Sequence, residues 1–205
     1  MPVSFARPEI KRDERMLWIH AGPHKAASSY VTERLRKNRN ALAAQGVLMD
    51  GDDNRLANAI AQKHYEPLEQ ALGTLPTGLH RVLLSSSSLD TRILKKSVLT
   101  PLRDLAASHG FKLGVSYFIR DQQSWLNSVY CHRIRRFRET PDFPEYCDYI
   151  MNDRDSWDIA YPSKFKVFKS FPDITTLFLP LSRQIATSDP FLALVEAFDL
   201  DSPEG

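Results

Sequence analysis

The sequence predicts an α/β fold of three layers, a mostly parallel central sheet with helices on both faces. Two observations carry this. Short apolar runs that suit buried strands, at 16–19, 81–84, 112–119 and 173–179, alternate with longer segments of helical apolar spacing. Strands joined through helices pair in parallel, and a parallel sheet needs cover on both faces. The chain has 205 residues, 42% hydrophobic and 25% charged, an ordinary soluble composition with enough length for one sizeable core.

Taken in order, residues 1–15 form a polar, charged lead-in without the apolar centre of a signal peptide, and 16–205 form one domain. Met16-Leu17-Trp18-Ile19 is the first strand. A helix follows from Tyr30 to Ala44, with Val31, Leu35, Leu42 and Ala43 on its core side, and Gly46 to Met49 is a short strand. Asp50-Gly51-Asp52-Asp53-Asn54 is a turn rich in helix-capping residues, and a solvated helix start explains its acids more economically than a metal does. Arg55 to Leu72 is helical through Leu56, Ile60, Leu68 and Leu72, with a break at Pro67; His64 within it reads as a surface residue. After the strand Arg81 to Leu84 come Ser85 to Ser88. Thr91 to Ser108 is a helix that Pro101 kinks or splits. The strand Lys112 to Ile119 then delivers Arg120 to its carboxyl end, where open α/β sheets bind ligands. Further helices are expected up to Arg138, over Phe143–Ile150, over Ser163–Phe171 and over Pro190–Leu200. A polar loop, Asn152 to Pro162, carries Trp157 and Tyr161.

Several function classes recede at this level. A net charge of +2 does not argue for nucleic acid or membrane binding. Arg133, Arg135, Arg136 and Arg138 make a local basic patch, but no stacking platform or second basic stripe accompanies it. Cys131 and Cys147 have no metal-ligand spacing and read as free thiols of a reducing compartment, hence a cytoplasmic protein. No run approaches the ~20 apolar residues that span a bilayer.

The informative stretch is Met16 to Tyr30, MLWIHAGPHKAASSY. A strand, a turn broken by Gly22 and Pro23, the cation Lys25 and four small residues (Ala26, Ala27, Ser28, Ser29) lead into a helix. Such a junction holds a phosphate, because the first helical N–H groups lack internal partners and the helix dipole favours an anion there. Lys25 adds a charge, and the Ser28 and Ser29 hydroxyls add donors. A plain connection with a solvated Lys25 has the same pattern. The usual nucleoside-triphosphate signature is not met, since Lys25 follows His24 and precedes Ala26.

These residues resemble the opening of the sulfotransferase family, above all bacterial members that run strand, G-P-H-K-T-G-[ST]-[ST], helix, N-R-x-x-L-x-x-x-G-V. Gly22, Pro23, His24, Lys25, Ser28, Ser29, Asn38, Arg39, Leu42, Gly46 and Val47 match. Ala27 stands where the family usually has glycine. A second segment, Arg120 followed by Ser128, resembles the family's grip on the 3′-phosphate of its donor PAPS (3′-phosphoadenosine 5′-phosphosulfate). The resemblance runs from Leu17 to Leu200 and implies a P-loop-type fold. It implies binding of PAPS, or its product PAP, by Gly22, Pro23, His24, Lys25, Ala26, Ala27, Ser28, Ser29, Arg120 and Ser128, with no metal.

Lys25 would then stabilise charge during transfer. His24, with a pKa near neutrality, is the preferred base and His20 the second choice, because Ser87 occupies the position where relatives carry a candidate glutamate base. Arg183 retains one basic member of a later family pattern. The acceptor is expected to be a glycan or small molecule; nothing in the sequence settles the oligomeric state. The alternative is a relative that binds PAP or PAPS, or serves as an interaction module, with impaired turnover. A phosphoryl-transferring kinase is disfavoured by the missing Gly-Lys-Ser/Thr and magnesium carboxylate.

Overall fold

The computed structural model describes residues 10, 14–51, 53–137, 141–152, 161, 165–181 and 189–203. Five strands, β1 (Met16–His20), β2 (Val47–Met49), β3 (Arg81–Ser85), β4 (Lys112–Arg120) and β5 (Thr175–Leu181), form one sheet. Their spatial order is β2-β3-β1-β4-β5 and every pairing is parallel. The expected α/β architecture is therefore observed. β1 is central and wholly buried, so its carboxyl end opens at the point where the strand order reverses, the usual ligand crevice of such sheets.

The period of two along β1 divides the core. Leu17 and Ile19 pack with residues of α3 (Arg55–Ala61), α4 (Glu66–Gly73) and α5 (Lys96–Ser108), among them Ile60, Leu68 and Leu102. Met16 and Trp18 pack on the other face against α1 (Ser28–Lys37), α2 (Arg39–Ala43) and α8 (Pro190–Ala197), through Val31, Leu35, Leu42 and Phe191. The remaining described helices, α6 (Gln122–Phe137) and α7 (Phe143–Asn152), share a small cluster of Trp125, Leu126 and Tyr146. No described helix is long and apolar enough to cross a membrane.

Several boundaries differ from the sequence expectation. The helix over 30–44 is two helices meeting at Asn38, and Ala43 is exposed while Leu42 is buried. The segment 55–72 breaks before Pro67, which sits in the first turn of α4 where its missing N–H costs nothing. Pro101 lies inside α5 without ending it, on its exposed side, and α5 starts at Lys96 rather than Thr91. Phe165–Ser170 is a 3₁₀ helix, and α8 stops at Ala197. Trp157 and Arg183 fall outside the described residues. Of the lead-in, Ile10 is buried in the core, Glu14 pairs with Lys112 and Arg15 lies over the Phe111 ring.

Capping at α3 rests on Asp50, which is 5% exposed and accepts from the N–H groups of Leu56 and Ala57 at 3.2 and 3.0 Å. A buried carboxylate there satisfies orphan donors and complements the helix dipole.

Trp18 faces Gly114 across β1 and β4, and its ring stacks on Phe198 at 4.5 Å. A Cβ at position 114 would lie 2.3 Å from the Trp18 ring, so only glycine lets the indole lie flat on β4. Gly114→Ala is expected to cost about 1–3 kcal/mol by overpacking, read as a lowered urea midpoint with an unchanged slope.

Candidate functional site

The crevice at the end of β1 is built by the segment Ala21 to Ala27. What shapes it is where its carbonyls go. The Gly22 carbonyl accepts from the Phe118 N–H at 3.1 Å, and the Pro23 carbonyl accepts from the Ala26 N–H at 3.2 Å and from the Ser28 hydroxyl at 2.9 Å. The His24 carbonyl accepts from Trp125 Nε1 at 2.9 Å, and the Lys25 carbonyl accepts from Arg120 Nη1 at 2.9 Å. Four consecutive carbonyls are thus tied by donors from β4, α6, the start of α1 and the loop itself. Two residues reach this shape through left-handed backbone, Lys25 at φ 64° and Ala27 at φ 60°.

α1 begins immediately afterwards with no side-chain cap. The N–H groups of Ser28, Ser29 and Tyr30 belong to its first turn, where no intrahelical acceptor exists. These three residues line a cavity of ≈ 290 Å³ together with His24, Lys25, Ala27, Ser87 and Ser128. The loop and α6 therefore meet around one space, as the sequence pattern implied for Lys25, His24, Ser29 and Ser128. Gly22, Pro23 and Ala26 are buried and serve as its frame.

Two of the expected ligands are otherwise engaged. Ser28 is 6% exposed and its proton closes the loop onto Pro23. Arg120 is not among the described residues lining the cavity; one of its guanidinium N–H groups holds the Lys25 carbonyl. The Arg120 carbonyl in turn accepts from the Tyr161 hydroxyl at 3.1 Å. Tyr161 walls a different, larger cavity of ≈ 520 Å³ on the opposite face of the sheet, with Ile119, Phe165 and Phe178.

The histidines separate clearly. His24 is exposed and meets His132 edge-on at 5.6 Å. His132, which sequence reasoning passed over, has its pKa lowered by partial desolvation and by Lys25, Arg136 and Arg135. His20 is fully buried, with its pKa lowered to about 4 by that burial. Its Nδ1 lies 2.8 Å from the Ser85 hydroxyl, which lies 2.8 Å from the Thr32 hydroxyl. A base of pKa about 4 takes no proton at neutral pH, so His20 serves the site through its hydrogen bond.

Beside the first cavity lies a second of ≈ 360 Å³, sharing Ser28, Ser29 and Ser87 with it. Thr32, Glu33, Arg36, Asn54, Ser85 and Ser86 complete its described wall. Glu33 is the carboxylate that the sequence did not single out, and it is bound to Lys37 at 2.7 Å, which lowers its pKa. Among the described residues no group of three or more metal-ligating side chains exists.

No protein-family model matches the chain, and no curated protein matches it significantly. Solved structures show distant likeness. Mouse sulfotransferase SULT7A1 complexed with PAP aligns at 11% identity and TM-score 0.49, over 96% of this chain and 62% of the other. Polyphosphate kinase 2 from Arthrobacter aurescens TC1 aligns at 14% and 0.44, over 94% and 72%. A structure of the PezAT toxin–antitoxin system of Streptococcus pneumoniae aligns at 11% and 0.43, over 97% and 83%. Likeness at this level does not separate sulfuryl from phosphoryl transfer, and the chain spans under two thirds of the sulfotransferase.

Two outcomes are expected. Below pH 6.5 the unfolded chain binds a proton at His20 that the folded chain refuses, so stability falls with pH and this contribution reaches about 3 kcal/mol by pH 4. It is measured as the difference in urea stability between wild type and His20→Asn at pH 7 and pH 4. Ala27→Gly removes the left-handed strain at that position and should leave the urea stability equal to or up to about 1 kcal/mol above wild type.

Proposed function

We propose that the protein is a sulfotransferase that moves a sulfuryl group from PAPS to a hydroxyl or amine of a carbohydrate or small-molecule acceptor. The observation that supports it is the ≈ 290 Å³ cavity where Lys25, Ser29 and Ser128 meet the uncapped start of α1. The chemistry of these groups fits an anion. Every donor there is either cationic or a neutral N–H or O–H, and the loop carbonyls that would repel an anion are tied elsewhere.

When bound, PAPS supplies an electrophilic sulfur whose bond to the bridging phosphate oxygen breaks as the acceptor atom bonds to it. Lys25 neutralises charge on the departing oxygens. The first N–H groups of α1 and the Ser29 hydroxyl hold the 5′ end, and Ser128 on α6 contributes to the hold on the nucleotide. Arg120 and Trp125 keep the loop in shape through its backbone. His24, exposed at the cavity, takes the acceptor proton. β3 ends in Ser85, followed by Ser86, rather than in a magnesium-holding carboxylate, which favours sulfuryl over phosphoryl transfer. The two free cysteines suit a reducing cytoplasm.

A second reading, a PAP-binding protein without turnover, is favoured by one observation. Ser87 lies between the two cavities where relatives carry glutamate, and the nearby Glu33 is held by Lys37 with a lowered pKa.

Calorimetric titration with PAP tests the reading. Wild type should bind, and Lys25→Ala and Ser128→Ala should each weaken binding by about 10-fold or more, as expected for a lost charged contact. Absence of heat for wild type overturns it. PAP binding without release of PAP from PAPS across a hydroxyl and amine acceptor panel selects the second reading.

A further inference from the structure

The ≈ 360 Å³ cavity beside the anion loop has an unusual wall: every described residue lining it is polar. Ser29, Thr32, Ser86 and Ser87 contribute hydroxyls and Asn54 an amide, while one cation, Arg36, and one anion, Glu33, leave the lining without net charge. Among the described residues there is no aromatic or aliphatic lining side chain on which a phenol or steroid ring could stack, and no surplus charge to hold an ion.

The hydrogen-bond chain beneath this wall has a direction. Ser85 lies between His20 Nδ1 and Thr32 Oγ1, both at 2.8 Å, and has a single proton to donate. If Thr32 donated to Ser85 and Ser85 to His20, the imidazole proton would sit on Nε2, which is buried without an acceptor among the described residues. An orphaned buried N–H is the rarer and costlier arrangement. The proton therefore belongs on Nδ1. His20 then donates to Ser85, and the one described acceptor within reach of the buried Ser85 proton is Thr32 Oγ1; Ser85 donates to it, and the Thr32 proton is left for the cavity.

We propose that this cavity is the acceptor subsite, that it takes a neutral polyhydroxylated ligand of the pyranoside or cyclitol class, and that Thr32, aligned by His20 and Ser85, donates to one of its oxygens. The assignment of this ligand as acceptor rests on the sulfotransferase reading, because Ser28, Ser29 and Ser87 are shared with the anion cavity. The polyol site itself stands on the lining and the hydrogen-bond chain. His20, 0% exposed and outside the lining, is a positioning residue; Ser85, 3% exposed, lines the cavity at its buried end and links His20 to Thr32.

The test has two arms on the full chain. Nitrogen-15 shifts of the His20 ring, from long-range proton–nitrogen correlation at pH 7, should show the Nδ1–H tautomer; the Nε2–H tautomer overturns the assigned direction. Saturation-transfer NMR with methyl glucoside, methyl galactoside, methyl mannoside and myo-inositol, against phenol and catechol, reads the cavity. At least one polyol should receive saturation, Thr32→Val should weaken it about fivefold, the scale of one neutral hydrogen bond, and Thr32→Ser should restore it. Saturation of the phenols alone, of nothing, or of polyols equally in Thr32→Val overturns the proposal. Titration with PAP separates the two ideas. PAP silent with polyols bound removes the sulfotransferase reading and leaves a polyol site. PAP bound with polyols silent removes this inference alone.

Discussion

The site depends on a set of backbone hydrogen bonds that turn four successive carbonyls away from the anion cavity. A carbonyl oxygen beside a phosphate repels it, and a loop of small residues has no side chains to prevent that. Here Phe118, Ala26, Ser28, Trp125 and Arg120 supply the donors that hold the carbonyls of residues 22–25. Two of those donors are side chains projected from the end of β4 and from α6, so the loop is shaped by elements about a hundred residues away in sequence. The left-handed backbone at Lys25 and Ala27 is the local consequence.

The same crevice places buried polar groups under α1. His20, Ser85 and Ser116 sit in register across three adjacent strands, and all three are nearly or fully buried. Burial holds His20 neutral and makes it a fixed hydrogen-bonding group, so a histidine at a strand end contributes orientation rather than proton transfer. Its link through Ser85 to Thr32 joins the sheet to the first turns of the helix that faces both cavities. The buried row thus couples the position of α1 to the sheet at the place where ligands would enter.

Apolar runs sufficed to predict the five strands, the short one at 46–49 included, their parallel pairing and the helical segments between them, because strand burial on two faces leaves a local signature. Helix ends were less legible. The break before Pro67 and the split at Asn38 depend on how each helix meets the sheet, and Pro101 is tolerated because its position in α5 is exposed. The role of Arg120 was legible as a strand-end cation and not as a clamp on Lys25, since the partner is a backbone carbonyl that any residue could supply.

What the sequence by itself determined is the order of strands and helices and the composition of the loop at the end of β1: Gly22, Pro23, Lys25 and the small residues after it. Periodicity and residue size are local properties, and they survive in one dimension. Only the tertiary structure decided which groups face the crevice. It turned the Ser28 proton onto the Pro23 carbonyl, buried His20, brought Ser128 to Lys25, and assembled a second cavity, polar in every described lining residue, from α1, Asn54, the end of β3 and the serines after it. The physical reason is that a hydroxyl or imidazole is either a ligand or a structural donor according to what lies within 3 Å of it, and those neighbours come from strands far apart in the chain.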